Sequence, residues 1–319
     1  MTAATGWLAV AIGLAVVVAS CGTGSAGTAA PVAQAGSASA SASAQASSAT
    51  SASASGTTEA APVQPPSLPP IDREIIDAAM ATAGDPSANV VPPRGAAAID
   101  QEAAGTIVAH ATASTVNARS RPSERSRVVE SFLNPTDRGG PLVFQATGRS
   151  DDGWLEVLLP IRPNGTTGWI PVEAVELTIN PYRIEVDASA HELTVYRYGT
   201  EEMSTTVSIG TGATPTPIGD FYLIELLRPS NPDGIYGPYA YGLSGYSDTL
   251  DSFGGGNGVI GIHGTNQPEL LGQDVSHGCI RVANQTIAEM TRFLPLGTPV
   301  SIFRSDTSLL DVGERLEWP

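Results

Sequence analysis

No lysine occurs in the sequence: all 16 basic residues are arginines, set against 32 Asp and Glu, for a formal net charge of −16 over 319 residues. The missing lysine excludes Schiff-base chemistry and a lysine general base. The acidic balance excludes nucleic acid as a partner, because phosphate contacts need a basic face. Aromatics are scarce at 6%, and there are only two cysteines, Cys21 and Cys279. The apolar run Trp7 to Ala19 falls short of the roughly 20 residues that a comfortable membrane helix needs.

What is present at the N-terminus reads as an export signal. The run ends in "VASC", Val18 to Cys21, which resembles the lipobox of bacterial lipoproteins. That resemblance implies lipidation of Cys21 and a membrane partner through the lipid. The preceding "MTAATGW" departs from the pattern, having no Arg or Lys. With residues 1–21 as signal, residues 22–104 read as an Ala/Ser/Pro-rich tether. Tracts such as "SASASASAQASSATSASASG" cannot bury enough surface to offset chain entropy. A short helix is expected over 71–83, and no packed core before about Gly105.

Residues 105–179 alternate short apolar segments with turn signals such as "DDG" and "RPNG", the pattern of a small barrel or sandwich. The stretches "VNARSRPS", "DGWLEV" and "GTTGWIPVEAV" resemble a bacterial SH3-like domain. That resemblance implies a contact with cell-wall material or with a neighbouring enzyme; a plain spacer fits the pattern equally. Trp154 and Trp169 read as its core. It holds no nucleophile–base pair, so it is expected to be dispensable for chemistry.

A second β unit spans 180–304, with a tail over 305–319. "YRIEVDAS" and "AHELTVYRYG" read as a hairpin, followed by strands in "EMSTTVSIG" and "GDFYLIELL". A long Gly- and Tyr-rich loop is expected over 228–257. Then come "VIGIHG", a cysteine-bearing strand, a helix over 285–294 capped by Asn284, and a last strand "PVSIF". The fold class is therefore mainly β: a small SH3-like barrel followed by a β-sandwich with one or two short helices.

Strand alternation puts Ile280 and Val282 on one face of "SHGCIRV" and His277, Cys279 and Arg281 on the other. In "VIGIHG", His263 opposes Ile260 and Ile262 in the same way. Pairing of the two strands would bring His263 to Cys279. An imidazole beside a thiol, with Arg281 adding positive potential and Gly278 opening the backbone, is the outline of a cysteine acyl-transfer site. Two other readings exist. Zinc held by His263, His277 and Cys279 lacks a fourth ligand and suffers from poor chelating geometry. An inert buried cysteine would force two histidines and an arginine into the core.

"IHGTNQPELLGQDVSHGCIRVAN", with "TPTPIGDF", "GPYAYGLSG" and "LPLGTPVSI", resembles the L,D-transpeptidase family and its YkuD-like catalytic domain. The resemblance covers Tyr182 to Phe303. It implies that Cys279 attacks the third-residue carbonyl of a peptidoglycan stem tetrapeptide and expels D-alanine, with transfer to an acceptor amine giving a 3→3 crosslink. His263 would be the base, oriented through the carbonyl of Gly264. His277, Gly278 and the Cys279 amide would shape the oxyanion site. Arg281, Ser276 and Tyr241 would lie on the substrate side, Arg281 standing where many relatives have Asn. No cofactor or metal is implied. The expected partners are stem peptides and, through Cys21, the outer face of the cytoplasmic membrane. A hydrolase, an acyl transfer to another amine, and a wall-binding lipoprotein with a decayed site are the alternatives.

Overall fold

The structure, a computed structural model, describes residues 60–70, 105–252 and 256–305. The described residues all belong to the unit Ser55–Pro319. Cys21, the helix expected over 71–83 and residues 306–319 of the tail lie outside them.

The tether is not featureless throughout. At its described end, β1 (Ala61–Pro62) pairs antiparallel with a later strand, the amide of Val63 donates to Leu226 O at 2.8 Å, and Pro70 bridges Thr178. The low hydrophobicity that predicts disorder here misses this, because the contacts are made by backbone groups at a vacant sheet edge.

Seven antiparallel strands follow: β2 (Thr106–Ala111), β3 (Thr115–Arg119), β4 (Val128–Leu133), β5 (Val143–Asp151), β6 (Trp154–Leu158), β7 (Thr167–Pro171) and β8 (Val175–Asn180). Their order is β4-β3-β7-β6-β5-β2-β8. Val116, Ala118, Phe144, Leu155, Val157, Leu159 and Ile170 fill the core. Trp154 and Trp169, expected in that core, stand partly buried on the other side of their strands, with Arg149 stacked 5.5 Å from the Trp169 ring.

The second sheet contains β9 (Tyr182–Asp187), β10 (Glu192–Arg197), β11 (Thr200–Thr206), β13 (Gly219–Arg228), β14 (Ala240–Tyr246), β15 (Val259–His263), β17 (Ile280–Arg281) and β18 (Pro299–Phe303), in the order β11-β10-β9-β18-β13-β14-β15-β17. Two short parallel strands, β12 (Ile209–Gly210) and β16 (Asp274–Ser276), form a separate ladder. β13 pairs with β18 through Gly219 to Tyr222 and with β14 from Leu223 onward. The edge that β18 leaves free on β13 is the one β1 takes.

Two expectations are corrected here. The loop over 228–257 is two loops, because β14 runs through it. "AYGLSGY" was hidden as a strand by three weak β-formers, Gly242, Ser244 and Gly245, on a backbone that packs tightly: a Cβ on Gly245 would come within 2.4 Å of the Phe221 ring. The helix is α1 (Asn284–Met290), shorter than expected, with Ala283 at its N-cap and no side-chain cap. Ile287 and Met290 are buried beneath it. Asn284 is engaged elsewhere.

The two sheets share their packing. Val108 and Val143 of the first belong to the hydrophobic cluster of the second. Tyr222 is fully buried and donates to Leu158 O at 3.1 Å. Arg162 donates to Ser247 O at 2.7 Å and Leu250 O at 2.9 Å, and Asn164 exchanges hydrogen bonds with the backbone of Tyr246. Removing the first sheet would leave these groups uncovered, which argues against treating it as a detachable spacer.

Candidate active site

His263 ends β15 and is 4% exposed. Its Nδ1 lies 2.6 Å from Gly264 O. A carbonyl oxygen only accepts, so Nδ1 carries the proton and Nε2 presents a lone pair. Burial, with the charge of Arg281, brings its pKa down to about 4 despite the Gly264 bond. At neutral pH it is an uncharged base.

The carbonyl that orients His263 is itself braced. Asn284 Oδ1 accepts from the amide of Thr265 at 2.8 Å. Gly237 and Gly264 are pressed against that same oxygen, where a Cβ on either would stand 2.3 Å from it. The Gly264 amide donates to Tyr239 O, and Val282 N to His263 O at 2.9 Å. This is the work Asn284 does in place of capping α1.

Cys279 is partly buried and unpaired with any cysteine among the described residues. It lies just before β17, which pairs parallel to β15 with Ile262 opposite Ile280 and His263 opposite Arg281. The thiol meets the amide of Gly261, a residue two before His263, so its Cα substituent would share the His263 face. The sequence places His263 and Cys279 on facing strands, and the register does bring their segments together. Burial pushes the Cys279 thiol up, and the Gly261 amide and Arg281 only partly offset it. Sulfur and imidazole rest as a neutral pair and not as thiolate and imidazolium.

Residues 277–279 form a turn, not a strand. Gly278 takes φ +115°, a left-handed value that side chains disfavour. Its amide donates to Ser276 Oγ at 3.1 Å, and that hydroxyl donates to Cys279 O at 2.5 Å. Two roles change in consequence. Ser276 is 1% exposed and ties the turn, so it does not face substrate. The Gly278 amide is already engaged, so Gly278 supplies the backbone turn and not an oxyanion donor. His277 is exposed on this turn, away from the core.

Tyr241, expected on the substrate side, is 1% exposed and donates to Leu294 O at 2.9 Å. Alternation from His263 through its partner Ala240 turns Tyr241 to the core. The tyrosine that reaches the site is Tyr236, whose ring lies 4.9 Å from the His263 ring, edge-on. Burial raises its pKa, and both Cys279 and Arg281 are near enough to act on it. The only signal for it in the sequence is its place in a Gly- and Tyr-rich loop. Arg281 is partly buried; its Nε is shielded from solvent and has no hydrogen-bond acceptor among the described residues. Among those residues no three His, Cys, Asp or Glu side chains converge as metal ligands, and Nδ1 of His263 is occupied.

The profile of the YkuD L,D-transpeptidase catalytic domain matches residues 181–302. YkuD of Bacillus subtilis is 36% identical over 124 residues, which are 39% of this chain and 67% of that protein. The chain belongs to the L,D-transpeptidase family. YkuD of Bacillus licheniformis is 35% identical over 38% of this chain and 66% of its own length, so the likeness spans about two thirds of these relatives. The catalytic domain of the E. faecium L,D-transpeptidase, solved by NMR, aligns at 24% identity over 38% of this chain and 95% of that one, with a TM-score of 0.27. The part of the chain matched to the L,D-transpeptidase family is the part that holds His263, Cys279 and Arg281.

Proposed function

We propose that the protein is a peptidoglycan L,D-transpeptidase with Cys279 as nucleophile and His263 as base. The observation that carries this reading is the buried His263, whose Nδ1 is committed to Gly264 O, leaving Nε2 to accept a proton on the face where the thiol lies. As sulfur bonds to the third-residue carbonyl carbon of a donor stem, Nε2 takes the thiol proton and the carbonyl electrons move to oxygen. The Cys279 amide is the oxyanion donor in this reading. Collapse breaks the bond to the terminal D-alanine, whose amine leaves with the proton from Nε2. An acceptor amine then attacks the thioester, giving a 3→3 crosslink and restoring the thiol. Arg281, with its unsatisfied Nε, is suited to a substrate carboxylate. His277, exposed on the turn, stays at the rim of the site. The first sheet, by its sequence resemblance an SH3-like module, and a lipid on Cys21 would hold the enzyme at the cell wall.

Incubating the full chain with a stem tetrapeptide, with and without an acceptor stem, tests the reading by intact-protein and product mass spectrometry. The expected results are an acyl adduct on the wild type, none on Cys279→Ala, and a crosslinked product that needs the acceptor. Product that is only the tripeptide would reassign it as a hydrolase. An adduct that survives in Cys279→Ala would refute the nucleophile.

A further inference from the structure

The face of the second sheet that carries His263 continues across two glycines to a charged pair. Glu225 pairs with Gly242, and Gly242 with Gly261. Alternation sets all three on the His263 face. Gly242 and Gly261 carry no side chains; Gly242 is buried under Glu225, while Gly261 is partly exposed and its amide meets the Cys279 thiol. The Glu225 side chain lies over Gly242, where an added Cβ would be 2.6 Å from its Cγ. Strands lie about 4.8 Å apart, so the β13 end of this row, at Glu225, is roughly 10 Å from Gly261, about three residues of extended peptide.

At that end stands Arg138, which comes from the first sheet. It sits in the loop between β4 and β5, a loop held by its own bonds: Gly139 N to Thr136 O at 2.7 Å, Thr136 N to Gly140 O at 2.9 Å, and Asn134 Nδ2 to Ala111 O at 2.8 Å. Arg138 Nε is 3.7 Å from Glu225 Oε2, and its side chain is 53% exposed. At that distance the contact is an ion pair without a hydrogen bond, so much of the guanidinium's donor capacity is open to a ligand. Its charge also acts on Tyr236, together with Arg281 and Cys279. Two arginines from different sheets therefore act on one tyrosine beside His263 in a chain of net charge −16.

We propose that Arg138, delivered by the first sheet, reads a carboxylate of the peptide bound at Cys279, with Glu225 as its resting counter-ion. The inference rests on the transpeptidase reading for the identity of the peptide. A guanidinium fork suits a carboxylate, and the roughly 10 Å span matches one carried on or near the residue under attack.

The test uses the full chain as Cys279→Ala, so that binding is read without turnover. The probes are two stem tetrapeptides with diaminopimelate as third residue, its side-chain carboxylate free in one and amidated in the other. Titration calorimetry should give a Kd for the free form about tenfold below that for the amidated form. Adding Arg138→Gln should raise the first about tenfold, leave the second unchanged and so remove the discrimination. Because Arg138→Gln strips Glu225 of its counter-charge, Arg138→Gln/Glu225→Gln is measured beside it and should lose discrimination equally. Unchanged discrimination in both variants, or no discrimination in the parent, overturns the assignment. Acylation of the wild type is scored separately, so a chain that acylates without using Arg138 refutes this inference and leaves the proposed function standing.

Discussion

Acid should destabilise this fold through His263, by an amount that can be worked out. The imidazole ordinarily titrates at 6.5 and is brought down to about 4 in the fold, mainly by burial. Above pH 6.5 the imidazole is neutral in the folded and the unfolded chain alike, and its contribution to stability is fully present. Between 6.5 and 4 the unfolded chain binds a proton that the folded chain does not, so acidification favours unfolding. The contribution is lost as pH falls through about 4. The drop from 6.5 to about 4, at about 1.4 kcal/mol per pH unit, amounts to about 3 kcal/mol. The ring is 4% exposed, so solvent screening does not reduce this much. Urea unfolding of wild type and His263→Gln at pH 7 and pH 4 isolates the effect, since other titrating groups cancel in the difference. With a urea slope of roughly 2 kcal/mol/M, the wild-type midpoint should fall by more than 1 M beyond any fall in the variant. A variant that loses as much as the wild type would refute the burial argument. The same pair predicts an acylation rate nearly flat from pH 7 to pH 5, because one pH unit above about 4 still leaves about ten neutral imidazoles for each protonated one. A thiolate–imidazolium pair would instead show a limb near neutrality.

Two further outcomes follow. Asn284→Ala removes the oxygen that fixes Thr265 N and packs Gly264, so acylation should slow about fivefold to tenfold at unchanged KM; Asn284→Asp, which still accepts from Thr265, should recover most of it, and stopped-flow acylation at saturating donor would read both. Cys21→Ala should release the protein from the membrane fraction on cell fractionation, and retention with an intact N-terminus would make residues 1–21 an uncleaved anchor.

Much of the site was legible because it is local in sequence. His263 and Cys279 are 16 residues apart, and the alternation of Ile260, Ile262, Ile280 and Val282 against them sets which side is buried. What failed did so for physical reasons. Tyr241 lies in a matching motif, but one step of alternation separates it from the site face. Ser276 was placed by the family resemblance and Asn284 by residue type, yet each side-chain oxygen is consumed by a neighbouring backbone group, which depends on the turn at Gly278 and the approach of Gly237 to Gly264. The resting charge state was not legible, because proximity of thiol, imidazole and arginine says nothing about how dry the pocket is, and here desolvation outweighs the favourable charges on Cys279. Arg138 is the extreme case. Its loop, Glu225, Gly242 and Gly261 lie on four stretches of chain, and no periodicity links them. Only the docking of one sheet on the other, fixed by buried Tyr222 and by Val108 and Val143 in the shared core, puts that guanidinium beside Glu225. A unit that holds no nucleophile can thus still shape what the nucleophile meets, through one arginine and the rigidity of the turn that presents it.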